Sequence, residues 1–269
     1  MLLTGKRILV MGLIDTRSIA WAIGQAAEAQ GAEVVYTVQN ERVSNSLLKR
    51  SLRQTDRSLE DLRIICCDVT KGDELDILVG HQYGPFHGFV YSIAFASKAD
   101  GLLEGELSDA PRHPVNEGFE ISAAGFSQVI HRLRWTNEHV QPTLLDNSSV
   151  IALTFDSQHT YPNYNWMGVY KAALEATARY TARDLGPHGI RVNCISAGPL
   201  NTLSASGITG FDAIGDVWPA RAPLGWNLDE GKTLVANNAV CLLSDLMRGV
   251  TGEILHVDGG FHSVGIATQ

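Results

Sequence analysis

Tyr164 and Lys171 stand seven residues apart in Tyr164-Asn165-Trp166-Met167-Gly168-Val169-Tyr170-Lys171. In a helix that separation is about two turns, so a phenol and an ammonium share one face. A phenol so placed donates a hydrogen bond to an oxygen that gains negative charge, and a nearby cation lowers its pKa and grips ribose hydroxyls. A surface lysine and a half-buried tyrosine of no special role show the same spacing, so the pair needs company before it means chemistry. Tyr170 faces another way and is read as packing, and Tyr161 as a loop residue beside Pro162.

Company is available at the ends of four apolar runs. Gly12 follows the first and leads through Leu13-Ile14-Asp15-Thr16-Arg17 to Ser18-Ile19-Ala20. A phosphate-binding turn needs a glycine so that backbone can approach the anion, and a helix N-terminus whose free N–H groups attract it. The second and third glycines of the usual fingerprint are missing, and an ordinary strand-to-helix turn capped by Ser18 fits the stretch equally well. Gln39, in Val38-Gln39-Asn40-Glu41, closes the second run where an adenosine ribose would lie. Its neighbours are neutral or acidic and Arg42 is the nearest cation, which predicts NADH over NADPH because a 2′-phosphate wants a basic partner. Asp68-Val69 closes the third run, where a carboxylate either meets an adenine amino group or merely caps a turn. Ser92-Ile93-Ala94 follows the fourth.

The elements that must position these groups are legible as an alternation. β-branched runs at 7–11, 33–38, 63–67, 88–92, 149–154, 191–196 and 253–257 read as strands. Between them, Ile19, Ala22, Ile23, Ala26 and Ala27 keep the spacing of a one-faced helix closed by Gly31. Leu174, Ala178, Thr181 and Leu185 make another stripe, ended by Gly186-Pro187. Strand–helix alternation from end to end predicts an α/β fold. It is a single Rossmann-like domain over 1–269, with a doubly wound parallel sheet of about seven strands and helices on both faces. In such sheets ligands lie outside the carboxyl ends of the strands, which is where Gly12, Asp68, Ser92 and Tyr164 all fall. The order of the pieces makes coincidence a poor account.

The longest irregular stretch, 197–227, is rich in Gly, Pro and Ser and is expected to cover a ligand. Within it Ile208, Phe211, Ile214, Val217 and Trp218 recur at three- and four-residue steps, as in a short helix with an apolar face. The stretch 207–218 has two acids and no lysine or arginine. A formal net charge of -8 argues against a chain-wide footprint for nucleic acid or anionic membrane. No apolar run approaches the ~20 residues of a membrane span, and no export signal opens the sequence. The protein is therefore expected in the cytoplasm, with Cys66, Cys67, Cys194 and Cys241 as reduced thiols and no metal site.

Taken together, these residues resemble the enoyl-acyl-carrier-protein reductases of the short-chain dehydrogenase/reductase family, including the mycobacterial branch that works on long acyl chains. The resemblance runs almost end to end. It is carried by Ser18-Ile19-Ala20, Cys67-Asp68-Val69, Ser92-Ile93-Ala94-Phe95-Ala96, Pro162-Asn163-Tyr164-Asn165-Trp166-Met167-Gly168, Ser196-Ala197-Gly198-Pro199-Leu200-Asn201-Thr202-Leu203 and Val257-Asp258-Gly259-Gly260. The wide tyrosine–lysine spacing is its most specific part, since ketone-reducing members place the lysine one turn after the tyrosine.

The resemblance implies Tyr164 at the substrate carbonyl and Lys171 at the nicotinamide ribose. Phe155 falls where many relatives have a second active-site tyrosine and the mycobacterial branch has phenylalanine. Gly12, Ser18, Ile19, Gln39, Asp68, Val69, Ser92, Ile93, Ala94, Leu200 and Thr202 are implied to line NAD, and Ala96, Met167, Ile208 and Phe211 to meet the substrate. It further implies an enoyl thioester on acyl-carrier protein as substrate and a homotetramer. Ala124 and Asn201 depart from the family, which usually has tyrosine and arginine there, so different packing on the substrate side and a looser cofactor-side loop are expected. The run 132–141 is unusually polar for the helix it belongs to. A ketone or alcohol reductase using Thr154 or Ser157, and a dinucleotide-binding protein without catalysis, remain as alternatives.

Overall fold

The computed structural model describes residues 1–79, 82–135 and 142–265. Seven strands form one parallel sheet: β1 (Arg7–Met11), β2 (Glu33–Val38), β3 (Arg63–Cys66), β4 (Phe86–Tyr91), β5 (Leu144–Thr154), β6 (Arg191–Ala197) and β7 (Ile254–Val257). Their spatial order is β3-β2-β1-β4-β5-β6-β7, so the chain winds outward from β1 in one direction and then, from β4, in the other. The helices are α1 (Ile19–Ala29), α2 (Lys49–Leu52), α3 (Gly72–Asp76), α4 (Arg112–Phe119), α5 (Gly125–Arg134), α6 (Asn165–Leu185), α7 (Phe211–Arg221) and α8 (Gly231–Leu243). A wide helical turn over Glu120–Ala124 runs α4 into α5. Of the polar run 132–141, residues 136–141 lie outside the described residues.

Successive strand residues point to opposite faces, and a parallel sheet covered on both sides buries both sets. In β1, Ile8 and Val10 pack with α1 and α8, whereas Leu9 and Met11 pack with α5 and α6. Fully buried side chains such as Leu9 and Leu174 each contribute about 1.5–3 kcal/mol relative to exposure. The α1 stripe ends as its sequence requires. Ala32 donates to Ala27 and Gly31 to Glu28, and Gly31 takes φ +89, a left-handed conformation that glycine adopts without penalty.

Cys66 and Cys67 fall on opposite faces of the sheet. β5 starts five residues earlier than its β-branched run, at Leu144. Its pairing with β4 shifts between Phe86 and Gly88, and Asn147, at φ 62, interrupts the pattern a strand would show. Among the described residues no helix is long and apolar enough to cross a membrane.

Candidate active site

The winding reverses between β1 and β4, and at their carboxyl ends two turns are pressed together. Gly12 has φ +93, and a Cβ there would collide with the backbone of Ser92, 2.7 Å from its carbonyl carbon. Only glycine fits, and the fit brings Ser92 N–H to Met11 O at 3.1 Å. Ser18 occupies the N-cap of α1, yet its side chain does not cap the helix. Its Oγ accepts from Ile14 and Asp15 N–H instead, fixing the turn. Ile19 starts the helix half-buried, with the free first-turn N–H groups of every helix N-terminus.

Gln39 and Asp68 meet across the next two strand ends, Gln39 donating to Asp68 Oδ2 at 3.1 Å. Burial works against the Asp68 carboxylate, but hydrogen bonds from Thr70 and Gln39 and the charge of Lys71 hold it below the usual carboxylate range. Val69 packs into the core. Beyond β4, Ser92, Ile93 and Ala96 are half-buried and Ala94 is exposed. Ser122, fully buried, clasps this loop by accepting from Phe95 N–H at 2.8 Å and donating to Phe95 O at 3.0 Å. Ser122 went unnoticed in the sequence, although it lies in the Ile121-Ser122-Ala123-Ala124 stretch that carries the Ala124 departure.

At the end of β6, Leu200 is buried beside Trp226, and Thr202 Oγ1 accepts from Ala205 N–H. Asn201, where a looser loop is expected, has hydrogen-bond partners of its own. The Asn201 side-chain amide donates to Asp229 Oδ1 at 2.9 Å, its backbone N–H donates to Leu228 O and its backbone carbonyl accepts from Lys232, so residue 201 is held by three bonds.

The tyrosine and lysine fall at the start of one helix, as their spacing demands. Tyr164 is the N-cap of α6, and Lys171, 7% exposed, sits two turns on with its Nζ donating to Leu153 O at 2.8 Å. Burial pushes the Lys171 ammonium down to about 8. Contrary to the lowering expected from a nearby cation, burial, reinforced by Glu175, pushes the Tyr164 phenol above its ordinary value, so the phenol is a proton-bearing donor at neutral pH. The ring of Phe155 lies 5.1 Å from that of Tyr164 and also touches Tyr161 and Trp218. Thr154 and Ser157, the hydroxyls a ketone reductase would need, both donate to Glu175 instead, at 2.8 and 2.5 Å.

The 197–227 stretch is not irregular throughout, since α7 fills its centre. The apolar stripe divides: Ile214 and Trp218 are buried, Ile208 and Phe211 half-buried, and Val217 is 52% exposed. Trp218 stacks on Phe261 at 3.6 Å and donates to Asp258 O, which pins α7 to the chain after β7. Asn163 Nδ2 donates to Thr209 O at 2.7 Å, tying the segment to the start of α6, where Met167 is half-buried. A cleft of about 320 Å3 is lined by Tyr161, Ile214, Val217, Trp218, Arg221 and Phe261 among others, but not by Tyr164 or Phe155, so it adjoins the tyrosine–lysine centre without containing it.

A switch-point crevice closed by a glycine turn, with tyrosine and lysine along one helix face below it, is the arrangement of the short-chain dehydrogenase/reductase class. Residues 12–262 match the family described as enoyl-(acyl carrier protein) reductase, and the chain belongs to that family. It is 39% identical to an NADH-type enoyl-acyl-carrier-protein reductase of Bacillus cereus, over 98% of this chain and 99% of that one. It is equally similar, at 39%, to an NADH-type enzyme of Rhizobium meliloti over 98% and 93% of the two chains. An NADPH-type enzyme of Staphylococcus aureus is 38% identical over 97% and 98%.

Proposed function

We propose that this protein reduces the carbon–carbon double bond of trans-2-enoyl thioesters with NADH, in fatty acid biosynthesis. The observation that carries the reading is the proton-bearing Tyr164 and the buried Lys171 on one face of α6 at the end of β5. A dinucleotide fits the residues present, because Gly12 against Ser92 leaves backbone rather than side chain at the switch point. Gly12, Ser18, Ile19, Ser92, Ile93, Ala94, Leu200 and Thr202 would hold its phosphates and nicotinamide half, and Gln39, Asp68 and Val69 its adenosine half. When bound, NADH supplies a hydride to the β-carbon of the enoyl thioester.

The chain's own part is electrostatic. As charge develops on the thioester oxygen, Tyr164 donates a hydrogen bond to it, and protonation at the α-carbon completes the reduction. Lys171, on the same helix, would hold the ribose hydroxyls. Phe155 lies against Tyr164 as an apolar wall where a ketone reductase wants a hydroxyl, which favours the enoyl reading over the carbonyl one. The Gln39–Asp68 pair gives the proposed adenosine end a carboxylate and no base, with Arg42 exposed. This favours NADH, although relatives of both cofactor types exist.

Ala96, Met167, Ile208 and Phe211 are the proposed substrate contacts, with acyl-carrier protein as the carrier. Phe119 of α4 with Val169 and Tyr180 of α6 are exposed apolar residues on packed helices, and support a homotetramer joined through them. We assign the protein to the cytoplasm, where NADH and acyl carriers are at hand. Oxidation of NADH and of NADPH is to be followed against a series of enoyl thioesters. Turnover with NADH, rising with acyl length, is the expected result. Tight NADH binding without turnover on any of them would mark a non-catalytic module, and equal efficiency with NADPH would overturn the cofactor assignment.

A further inference from the structure

Glu175 is a buried carboxylate to which the reaction, as set out above, gives no task. It lies four residues after Lys171 on α6 and is 2% exposed. A carboxylate removed from water is costly unless its oxygens are bonded and a counter-charge is near. Both conditions are met here. Oε1 accepts from Thr154 Oγ1 at 2.8 Å and Oε2 from Ser157 Oγ at 2.5 Å, two hydroxyls that bracket Phe155. One turn back along the helix, Lys171 holds the carbonyl of Leu153, the residue before Thr154. One helix, from its N-cap to its third turn, therefore grips neighbouring parts of a single chain segment: Glu175 holds residues 154 and 157, Lys171 holds 153, and Tyr164 packs against Phe155.

We propose, building on the reductase reading above, that Glu175 is a positioning residue. Its carboxylate fixes the turn that presses Phe155 against Tyr164 and supplies the counter-charge for the Lys171 ammonium. The two tasks share one group because the turn and the lysine lie on the same helix face. Burial depresses the Lys171 ammonium to about 8, and the nearby charge of Glu175 acts in the opposite sense. The other titratable groups around this spot are Cys194 of β6, His256 of β7, Asp156 after β5, and Tyr164 and Arg179 of α6. Burial pushes the Cys194 thiol up to about 12 and Tyr164 higher still, and holds His256 below its ordinary value. Lys171 is therefore the group that titrates just above neutrality.

The test is the pH dependence of NADH affinity in the full-length protein, followed by fluorescence without any thioester, alongside turnover on one enoyl-coenzyme A. Wild type is expected to lose affinity as pH rises through the Lys171 range. Glu175→Gln is expected to begin that loss about one pH unit lower. Glu175→Asp keeps the charge but not the reach, so its pH midpoint stays near wild type while kcat falls. Should the glutamine variant fail to fold, Thr154→Val combined with Ser157→Ala removes the grip and leaves the charge, with kcat lowered about tenfold and NADH affinity preserved. An unmoved midpoint in Glu175→Gln, or wild-type turnover in the double variant, overturns the inference. Wild type that binds NADH but reduces no enoyl thioester would instead overturn the reading on which it rests.

Discussion

The two sides of the crevice are built by different means. On the cofactor side, Gly12 abuts the Ser92 backbone, Ser18 ties its own turn, and Gln39 joins Asp68. These are short polar groups and bare backbone at the ends of strands, and the sheet fixes them. On the lid side, Phe155, Tyr161, Trp218 and Phe261 pack ring on ring, α7 is held through Trp218 and Arg221, and one amide from Asn163 holds the chain just before it. On the proposed function, a ligand with constant structure would be met by rigid main chain, and one with a variable apolar tail by side-chain surface on a separately anchored helix. The contrast predicts that the two halves fail independently.

The largest effect is expected from Trp218→Ala, which removes the stacked indole and its bond to Asp258 O. It should cost about 3–5 kcal/mol of stability by denaturant titration. It should also raise KM for long acyl chains while NADH affinity stays within about twofold. A large loss of NADH affinity would show that the halves are coupled. Tyr164→Phe comes next, with turnover down by about 10²–10³-fold and cofactor affinity nearly intact. Normal turnover in that variant would remove Tyr164 from the chemistry.

Lys171→Ala should break the other half, lowering NADH affinity about tenfold at neutral pH, the order expected for a lost charge-assisted hydrogen bond. The sign of the pH effect follows from the depressed value of about 8. The cation that grips the ribose exists below it, so wild-type affinity falls as pH rises through about 8. The alanine variant should show no such fall. The smallest effect concerns salt. The stretch 207–218 carries two acids and no base, so carrier protein gains little from charge at the lid. A tenfold rise in salt should change kcat/KM for the carrier-bound substrate by less than about threefold. A steep collapse for the carrier with no change for coenzyme A would place a basic docking surface elsewhere.

What the sequence disclosed follows the same division. The ends of β1 and β2 were readable to the residue, because β-branched runs there stop at Gly12 and at polar Gln39. Gly12, Asp68, Ser92 and the Tyr164–Lys171 face are local patterns, and each fell where its strand or helix put it. The start of β5 was hidden by Asn147 and the register shift beside Gly88, which carry no periodic signature. α7 was visible as an apolar stripe, but its burial was not, since Val217 fits the spacing and still faces out while Trp218 goes in. Ser122, Glu175 and Phe261 act through partners 27, 21 and 43 residues away, respectively Phe95, Thr154 and Trp218, and no local pattern announces such a partner. The tether of Asn201 to Asp229 is tertiary in the same way.

The pairing of β1 with β4 has a consequence for how the molecule assembles. Ile8 lies beside Gly88 and Met11 beside Tyr91, with β2, β3 and their helices folded out between them along the chain. Parallel pairing across such a gap requires closure of a long loop before any contact rewards it, which is a slow event in folding. The seat formed by Gly12 and Ser92 does not exist until that pairing is made. During refolding from denaturant, NADH capture should therefore trail the recovery of helical signal and coincide with the final cooperative phase, so that the ligand times the closing of the central strands.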